Sequence, residues 1–209
     1  MKYRLVLCDV DSTLIRQEVI DELARLQGVG DAVSEITTRA MNGELDFEAA
    51  LRARVNLLRG ADAEIIDEIA RRIEYNDGAE ELISYCAENK IKIGAVSGGF
   101  IQVLDCFGIS NRLDFVKANL LGIENGRLTG EVIGEIVDRA GKAAALRTFA
   151  ASLGMPLEET IAIGDGANDI DMVTCAGLGV AFRGKPALAQ IADLKIDRTL
   201  VEVIPYLKS

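Results

Sequence analysis

Short apolar runs that each end in a polar cluster restrict the fold of this chain more than any other feature. The first run, Leu5 to Cys8, leads directly into Asp9-Val10-Asp11-Ser12-Thr13. A continuous apolar run of this length is typical of a strand buried on both faces in a parallel sheet. Such sheets bind ligands at the carboxyl ends of their strands, where Asp9 and Asp11 would lie. Since two buried acids one residue apart are costly unless a cation or a proton offsets them, the sequence predicts a positively charged partner here.

Further polar clusters occur later in the chain. Ser97-Gly98-Gly99 follows the apolar run 91–96 and is expected to open a helix at 100–107. Gly164-Asp165-Gly166-Ala167-Asn168-Asp169 follows the run 160–163. Lys142 lies near the start of a predicted helix, 139–153. Each cluster taken alone has a structural explanation, as a turn or a solvated helix face. Because the carboxyl ends of parallel strands share one edge, we expect the polar side chains to meet there. The expected group is Asp9, Asp11, Ser97, Asp165, Asn168 and Asp169, with Lys142 reaching in.

Between the first two polar clusters the pattern becomes helical. Helical spacing of apolar residues predicts helices at 17–27, 33–41, 46–58 and 62–73, with Asp46 and Asp62 as N-caps of the last two. Consecutive helices without intervening strands do not fit a strand–helix alternation. We therefore predict an α/β core formed by residues 1–13 and 76–209, with residues 14–75 inserted as a helical cap. The Asn125-Gly126 pair within 120–132 predicts a β-hairpin flap.

Composition excludes several classes of function. The 209 residues carry a net charge of −10 without a cluster of basic residues, which argues against binding nucleic acid or an anionic membrane. The sequence shows neither a signal peptide nor a run of 18 apolar residues, so we expect a cytoplasmic protein. It contains no histidine, which excludes a Ser-His-Asp triad, a Cys-His pair and His-ligated zinc.

A site built from oxygen ligands without His or Cys favours Mg²⁺. Two like unit charges about 4 Å apart repel by roughly 4 kcal/mol at an effective dielectric near 20, so a phosphate dianion beside one carboxylate faces about twice that. A divalent ion together with Lys142 would bring three positive charges and turn this net repulsion of the phosphate into attraction.

The polar clusters resemble, in order and spacing, the four motifs of the haloacid dehalogenase superfamily of phosphatases. Residues 9–13, 97–99, 164–169 and Lys142 carry the resemblance, which covers nearly the whole chain. It implies a doubly wound parallel α/β core with an inserted helical-bundle cap and a small β-hairpin flap. Within the superfamily, the resemblance is strongest to the branch that hydrolyses O-phosphoserine in the last step of serine biosynthesis.

The resemblance also implies roles for individual residues. Asp9, Asp11 and Asp165 would bind Mg²⁺, Asp11 through its backbone carbonyl. Asp9 would be the nucleophile that forms an aspartyl-phosphate, and Asp11 the general acid and then base. Lys142 would hold the nucleophile and the phosphate. The remaining residues implied by these motifs, for phosphate, substrate or support of the metal site, are Ser97, Gly98, Gly99, Asn168 and Asp169.

The predicted cap contains an arginine on an apolar stripe. Phe47, Leu51, Arg54 and Leu58 fall on one face of the helix predicted at 46–58, and a lone arginine there either extends its charge to solvent or binds an anion. The resemblance implies the second outcome, with Arg54 on the substrate carboxylate and Glu18 on its ammonium group. It also places Met41 and Phe47 in the substrate pocket. Glu18 alone would be explained as an acid in a first helical turn.

Other functions fit parts of this pattern. The same fold can act on another small phosphorylated metabolite, or transfer the phosphoryl group to an acceptor such as homoserine. A response-regulator receiver domain also uses Asp, Mg²⁺, a hydroxyl and Lys, but it has adjacent acids after the first strand and no helical insertion. Phosphate release from a substrate panel separates these alternatives.

Overall fold

The computed structural model describes residues 2–42 and 44–208. In these residues, seven strands form one sheet in the order β4-β3-β2-β1-β5-β6-β7. The strands are β1 (Leu5–Cys8), β2 (Lys92–Phe100), β3 (Phe115–Glu124), β4 (Arg127–Ile133), β5 (Thr160–Gly164), β6 (Leu178–Phe182) and β7 (Leu194–Ile196). Central β1 is completely buried and pairs in parallel with β2 and β5, as its apolar run predicts. The carboxyl ends of these three strands therefore lie side by side.

Helices cover the sheet and fill the segment between β1 and β2. They are α1 (Val19–Gln27), α2 (Gly30–Met41), α3 (Phe47–Asn56), α4 (Ile65–Ala70), α5 (Ala79–Glu88), α6 (Ile101–Phe107), α7 (Arg139–Ser152), α8 (Ile170–Cys175), α9 (Pro186–Ala189) and α10 (Ile204–Leu207). No helix in the described ranges combines the length and apolar character needed to cross a membrane.

Several predicted helix starts differ from the structure, and the helix predicted from residue 33 already begins at Gly30. The helix predicted to start at Asp62 begins three residues later, because α4 starts at Ile65 with Glu64 as its N-cap residue. Asp62 instead forms an antiparallel bridge with Arg127, and its carboxylate accepts the N–H of Glu64 in the turn before the helix. The helix predicted at 100–107 is present as α6, but Ser97-Gly98-Gly99 does not open it. These residues continue β2 through a shift in register against β3, and α6 begins only at Ile101.

The predicted hairpin flap is formed by β3 and β4. Asn125 and Gly126 both have positive φ, 50° and 75°, as the tight turn requires. The first half of β3 pairs in parallel with β2, and its second half pairs antiparallel with β4. The α/β class with a β-hairpin flap is thereby confirmed.

The flap is hydrogen-bonded to the residues between α3 and α4. Gly60 N donates to Leu128 O at 2.8 Å, Leu128 N donates to Ala61 O at 2.9 Å, and Ala63 N donates to Gly126 O at 2.8 Å. The helical segment therefore contacts the core through main-chain bonds far from the points where the chain enters and leaves it.

The chain passes between the core and the helices α1–α4 twice, along neighbouring paths. Ile15 and Tyr75 form an antiparallel bridge, and Asn76 N donates to Leu14 O at 2.9 Å. Apolar side chains from the helical segment and from one sheet face belong to a single buried cluster. The domain division at 14–75 stays a prediction, and we keep the name cap for these residues.

Candidate active site

Lys142 lies between two carboxylates at the carboxyl end of β1. Its side chain is completely buried, with Nζ 2.5 Å from Asp9 Oδ1 and 2.6 Å from Asp169 Oδ1. Burial alone would lower the pKa of Lys142, but the two carboxylates raise it above its usual value. Burial and then the neighbouring Asp169 raise the pKa of Asp9, while Lys142 opposes them. A buried cation with two acids thus fixes the position of the Asp9 carboxylate.

Three carboxylates near this lysine form a group that can hold a metal ion. Oxygens of Asp9, Asp165 and Asp169 lie within 4.8 Å of one another. Both Asp169 oxygens already accept protein donors: Oδ1 from Lys142, and Oδ2 from the backbone N–H groups of Asp165 and Gly166. Among the described residues, nothing donates to Asp9 Oδ2 or Asp165 Oδ1. Asp9 and Asp165 both line a cavity, so these unpartnered oxygens fit a hard cation, with Asp169 supporting the loop that carries Asp165.

Lys185 is a site residue that the sequence analysis missed. Its Nζ lies 3.0 Å from Asp165 Oδ2, and its backbone N donates to the carbonyl of Asp165 at 2.7 Å. Lys185 directly precedes α9 and lies a few residues after β6, the strand next to β5. The one sequence feature that could have indicated this role is its position shortly after a buried strand.

Asp11 extends from the turn after β1 toward the cap. Its Oδ2 accepts the N–H of Val19 at 3.3 Å, while Oδ1 is buried with no partner among residues 2–42 and 44–208. Burial and then the nearby Glu18 raise the pKa of Asp11 to about 8. A carboxylic acid held in this way near the Asp9 carboxylate is suited to donate a proton.

The Ser97-Gly98-Gly99 segment lets side chains of the cap and of the turn after β1 pack closely against its backbone. The Ser97 hydroxyl is buried and accepts the N–H of Gly99 at 2.8 Å, so it helps to fix the backbone of this segment. A Cβ on Gly98 would lie 3.2 Å from Phe47 Cζ, and a Cβ on Gly99 would lie 3.2 Å from Asp11 Oδ2. The two glycines therefore leave room for a cap side chain and for an acid of the first motif.

Helix α3 points an arginine with free donors into the site. Asp46 caps the helix as predicted, because its Oδ1 accepts the N–H of Ala49 at 2.7 Å. Arg54 Nε donates to Ala50 O at 3.3 Å, and its two Nη atoms have no acceptor in the described residues. Burial lowers the pKa of Arg54, and Asp21 is the strongest acid opposing that effect. A partly buried guanidinium with both Nη groups unused is suited to bind a carboxylate.

These residues surround a single cavity between the sheet edge and the cap. It is lined by Asp9, Asp11, Glu18, Ile20, Phe47, Leu51, Arg54, Gly98, Gly99, Asp165, Asn168 and Lys185. The structure thus brings residues from all the predicted strand ends together with the predicted cap residues Glu18, Phe47 and Arg54. Lys142, Ser97 and Asp169 lie behind the cavity wall. The side chain of Met41 lies outside the described part of the chain.

The fold and the site together define a class of hydrolase with an aspartate at the end of its first strand. The family model of haloacid dehalogenase-like hydrolases matches residues 6–174, which include the cap and the strand ends that carry the carboxylates. The chain belongs to this family.

The chain is also similar to individual proteins of known name or structure. The chain is 46% identical over 204 residues to a phosphoserine phosphatase of Streptococcus thermophilus, covering 97% of this chain and 95% of the relative. It is 51% identical over 204 residues to a phosphoserine phosphatase of Streptomyces coelicolor, but spans only 50% of that longer protein. A solved substrate-bound phosphoserine phosphatase complex superposes with a TM-score of 0.90 at 42% identity, covering 99% of each chain.

Proposed function

We propose that this protein is a Mg²⁺-dependent phosphatase that hydrolyses O-phosphoserine to serine and inorganic phosphate, the final reaction of serine biosynthesis. One observation carries the proposal: the cavity above Asp9 is lined by both an acid, Glu18, and an arginine with free donors, Arg54. A phosphorylated amino acid presents one ammonium and one carboxylate beside its phosphate. The names of the relatives support the same substrate.

Asp9 is the proposed nucleophile. Its carboxylate attacks phosphorus, the bond to the serine oxygen breaks, and the phosphoryl group is transferred to Asp9 as an aspartyl-phosphate. Asp11 gives its proton to the departing serine oxygen. It then takes a proton from water as the water attacks phosphorus, which releases phosphate and restores the Asp9 carboxylate. Lys142 holds Asp9 in place throughout and offsets charge near the phosphoryl group.

Three positions provide the metal ligands: the carboxylates of Asp9 and Asp165 and the backbone carbonyl of Asp11. Bound Mg²⁺ supplies the positive charge that lets a phosphate dianion approach these acids. Asp169 supports the site indirectly, because its carboxylate orients the Asp165 backbone and Lys142.

The substrate is oriented from both sides of the cavity. Arg54 binds the serine carboxylate and Glu18 its ammonium group, while Phe47 lines the pocket beside them; the role of Met41 stays a prediction from the sequence. On the core side, Ser97, Gly98 and Gly99 shape the phosphate subsite together with Asn168. This assignment makes the cap the source of substrate selectivity.

A phosphate-release screen tests the proposal. Phosphoserine is compared with other small phosphorylated metabolites, each with and without Mg²⁺ and with and without homoserine as acceptor. We expect rapid Mg²⁺-dependent release from phosphoserine, and loss of turnover in a folded Asp9→Asn variant. Preferential hydrolysis of a substrate without an amino group, or phosphohomoserine as the product, would contradict the proposal.

A further inference from the structure

We infer that Asn76, a core residue outside the cavity, is a positioning residue that sets the orientation of Glu18 by acting through Ser12. The inference deepens the proposed function, because it concerns how the ammonium subsite is built. It begins with the backbone of Ser12, which has φ 60° and ψ −4°. This left-handed conformation is disfavoured for a residue with a side chain, so the surrounding structure must hold it.

Ser12 makes two contacts that depend on this conformation. Its hydroxyl donates to Glu18 Oε1 at 2.7 Å, and its backbone carbonyl accepts Asn76 Nδ2 at 3.1 Å. The side chain thus reaches the cap acid, while the following peptide group is tied to the core. Releasing the carbonyl would allow the peptide to rotate and carry the hydroxyl away from Glu18.

The orientation of the Asn76 amide is determined by its other partners. Only 5% of Asn76 is exposed, and its Oδ1 accepts both Arg183 Nη1 at 2.8 Å and the backbone N–H of Asp77 at 3.0 Å. Two donors on one side require the oxygen there, so the amide nitrogen must face the Ser12 carbonyl. Asn76 N also donates to Leu14 O at 2.9 Å, which fixes its backbone beside the outgoing chain.

Arg183 anchors this arrangement to the end of β6. Its Nη2 contacts Asp77 Oδ2 at 2.6 Å and the carbonyl of Arg198 at 2.9 Å, and its Nε donates to the carbonyl of Asp197 at 3.1 Å. Since all three guanidinium nitrogens are engaged, Arg183 presents a fixed donor to Asn76. A continuous series of hydrogen bonds therefore runs from the sheet through Asn76 and Ser12 to Glu18.

These hydrogen bonds matter because a second cation, besides the substrate ammonium, lies close enough to attract the Glu18 carboxylate. Lys185 lines the same cavity and pairs with Asp165. A Glu18 carboxylate without the Ser12 donor is free to turn toward Lys185, away from the substrate ammonium. Asn76 therefore favours the binding orientation from outside the cavity.

Asn76→Asp tests the inference with almost no change in shape. The variant keeps an oxygen for Arg183 and for the Asp77 N–H, but it presents an acceptor instead of a donor to the Ser12 carbonyl. We expect kcat/KM for phosphoserine to fall about three- to tenfold, the effect of losing one hydrogen bond, with most of the loss in KM. Hydrolysis of 4-nitrophenyl phosphate, which has no ammonium group, should change less than about twofold.

Asp77→Asn is the matched control. It weakens the contacts of the same segment with Arg16 and Arg183 but does not touch Ser12. It should lower the melting temperature without changing the preference between the two substrates. A similar preference change in both variants would mean that the segment acts only through stability, and would overturn the inference.

A double-mutant cycle locates the effect at Ser12. Ser12→Gly tolerates positive φ but lacks the hydroxyl, so adding Asn76→Asp to it should cause no further loss. Additive losses would overturn the inference. Hydrogen–deuterium exchange of residues 12–18 is independent of turnover: it should rise in Asn76→Asp and not in Asp77→Asn. Unchanged exchange overturns the inference whatever the substrate, whereas failure of the wild type to hydrolyse phosphoserine overturns only the proposed function.

Discussion

Replacing Arg54 with methionine separates recognition of the substrate carboxylate from phosphoryl transfer. Methionine keeps an unbranched apolar stem to pack beside Phe47 and Leu51, so the walls of the cavity remain. What disappears is a guanidinium whose two Nη atoms have no acceptor in the described residues and are available to a carboxylate. On the proposed assignment, the change therefore removes a substrate contact, and among the described residues it breaks one side-chain hydrogen bond, to Ala50 O.

The magnitude follows from the two free donors. A hydrogen bond between charged groups contributes about 1.5–3 kcal/mol, so a carboxylate bound by both Nη groups gains about 3 kcal/mol at the lower end of that range. Since 1.4 kcal/mol corresponds to a tenfold change, kcat/KM for phosphoserine should fall about 100-fold in Arg54→Met. An aryl phosphate without a carboxylate should lose less than about threefold.

The assay is steady-state phosphate release with both substrates. Arg52→Met is the control, because Arg52 lies on the same helix but is paired with Glu48 at the surface, at 2.8 Å. We expect it to leave the ratio of the two activities unchanged. Equal losses on both substrates in Arg54→Met would refute the assignment of Arg54 to the carboxylate.

Other perturbations test the buried charges and the contact between cap and flap. Lys142→Met leaves two buried carboxylates without their cation and should lower the free energy of unfolding by about 3–5 kcal/mol in denaturant titrations, whereas an unchanged midpoint would show that the lysine is not needed for their burial. Asp165→Asn removes a proposed carboxylate ligand and should weaken Mg²⁺ binding in calorimetry at least tenfold while the protein stays folded; wild-type affinity would show that Asp165 is not a ligand. Arg127→Ala deletes the 2.8 Å bond from Arg127 Nη1 to Gly60 O and should destabilise the protein by about 0.5–1.5 kcal/mol, with faster hydrogen exchange at residues 60–63; unchanged exchange there would show that the flap does not hold the cap.

The sequence predicted the sheet edge well, because parallel topology brings strand ends together whatever their distance along the chain. Asp9 and Asp165 are far apart in sequence, yet Asp9 directly follows one apolar run and Asp165 lies one residue beyond another, and their carboxylates lie close together in the structure. The stripe on α3 was equally informative, since Phe47 and Arg54 both line the cavity at helical spacing. These predictions rested on the helical spacing of apolar residues and on the position of polar residues at strand ends.

Features that depend on tertiary contacts were not predictable in the same way. The predicted start of α4 was wrong by three residues, and Asp62 pairs with Arg127 of the flap, a contact that no local pattern signals. The Asn76–Ser12 contact joins residues 64 positions apart through a side-chain amide. Lys185 was missed because a single lysine after a strand resembles any solvated surface residue.

Trapping the covalent intermediate tests directly whether Asp9 is the nucleophile. Enzyme mixed with radiolabelled phosphoserine is quenched within its first turnovers, treated with borohydride to reduce the acyl phosphate, and sequenced through residues 5–16. We expect homoserine at position 9, in place of Asp9, and an unmodified Asp11. Reduction at position 11, or rapid phosphate release without any modified aspartate, would contradict it.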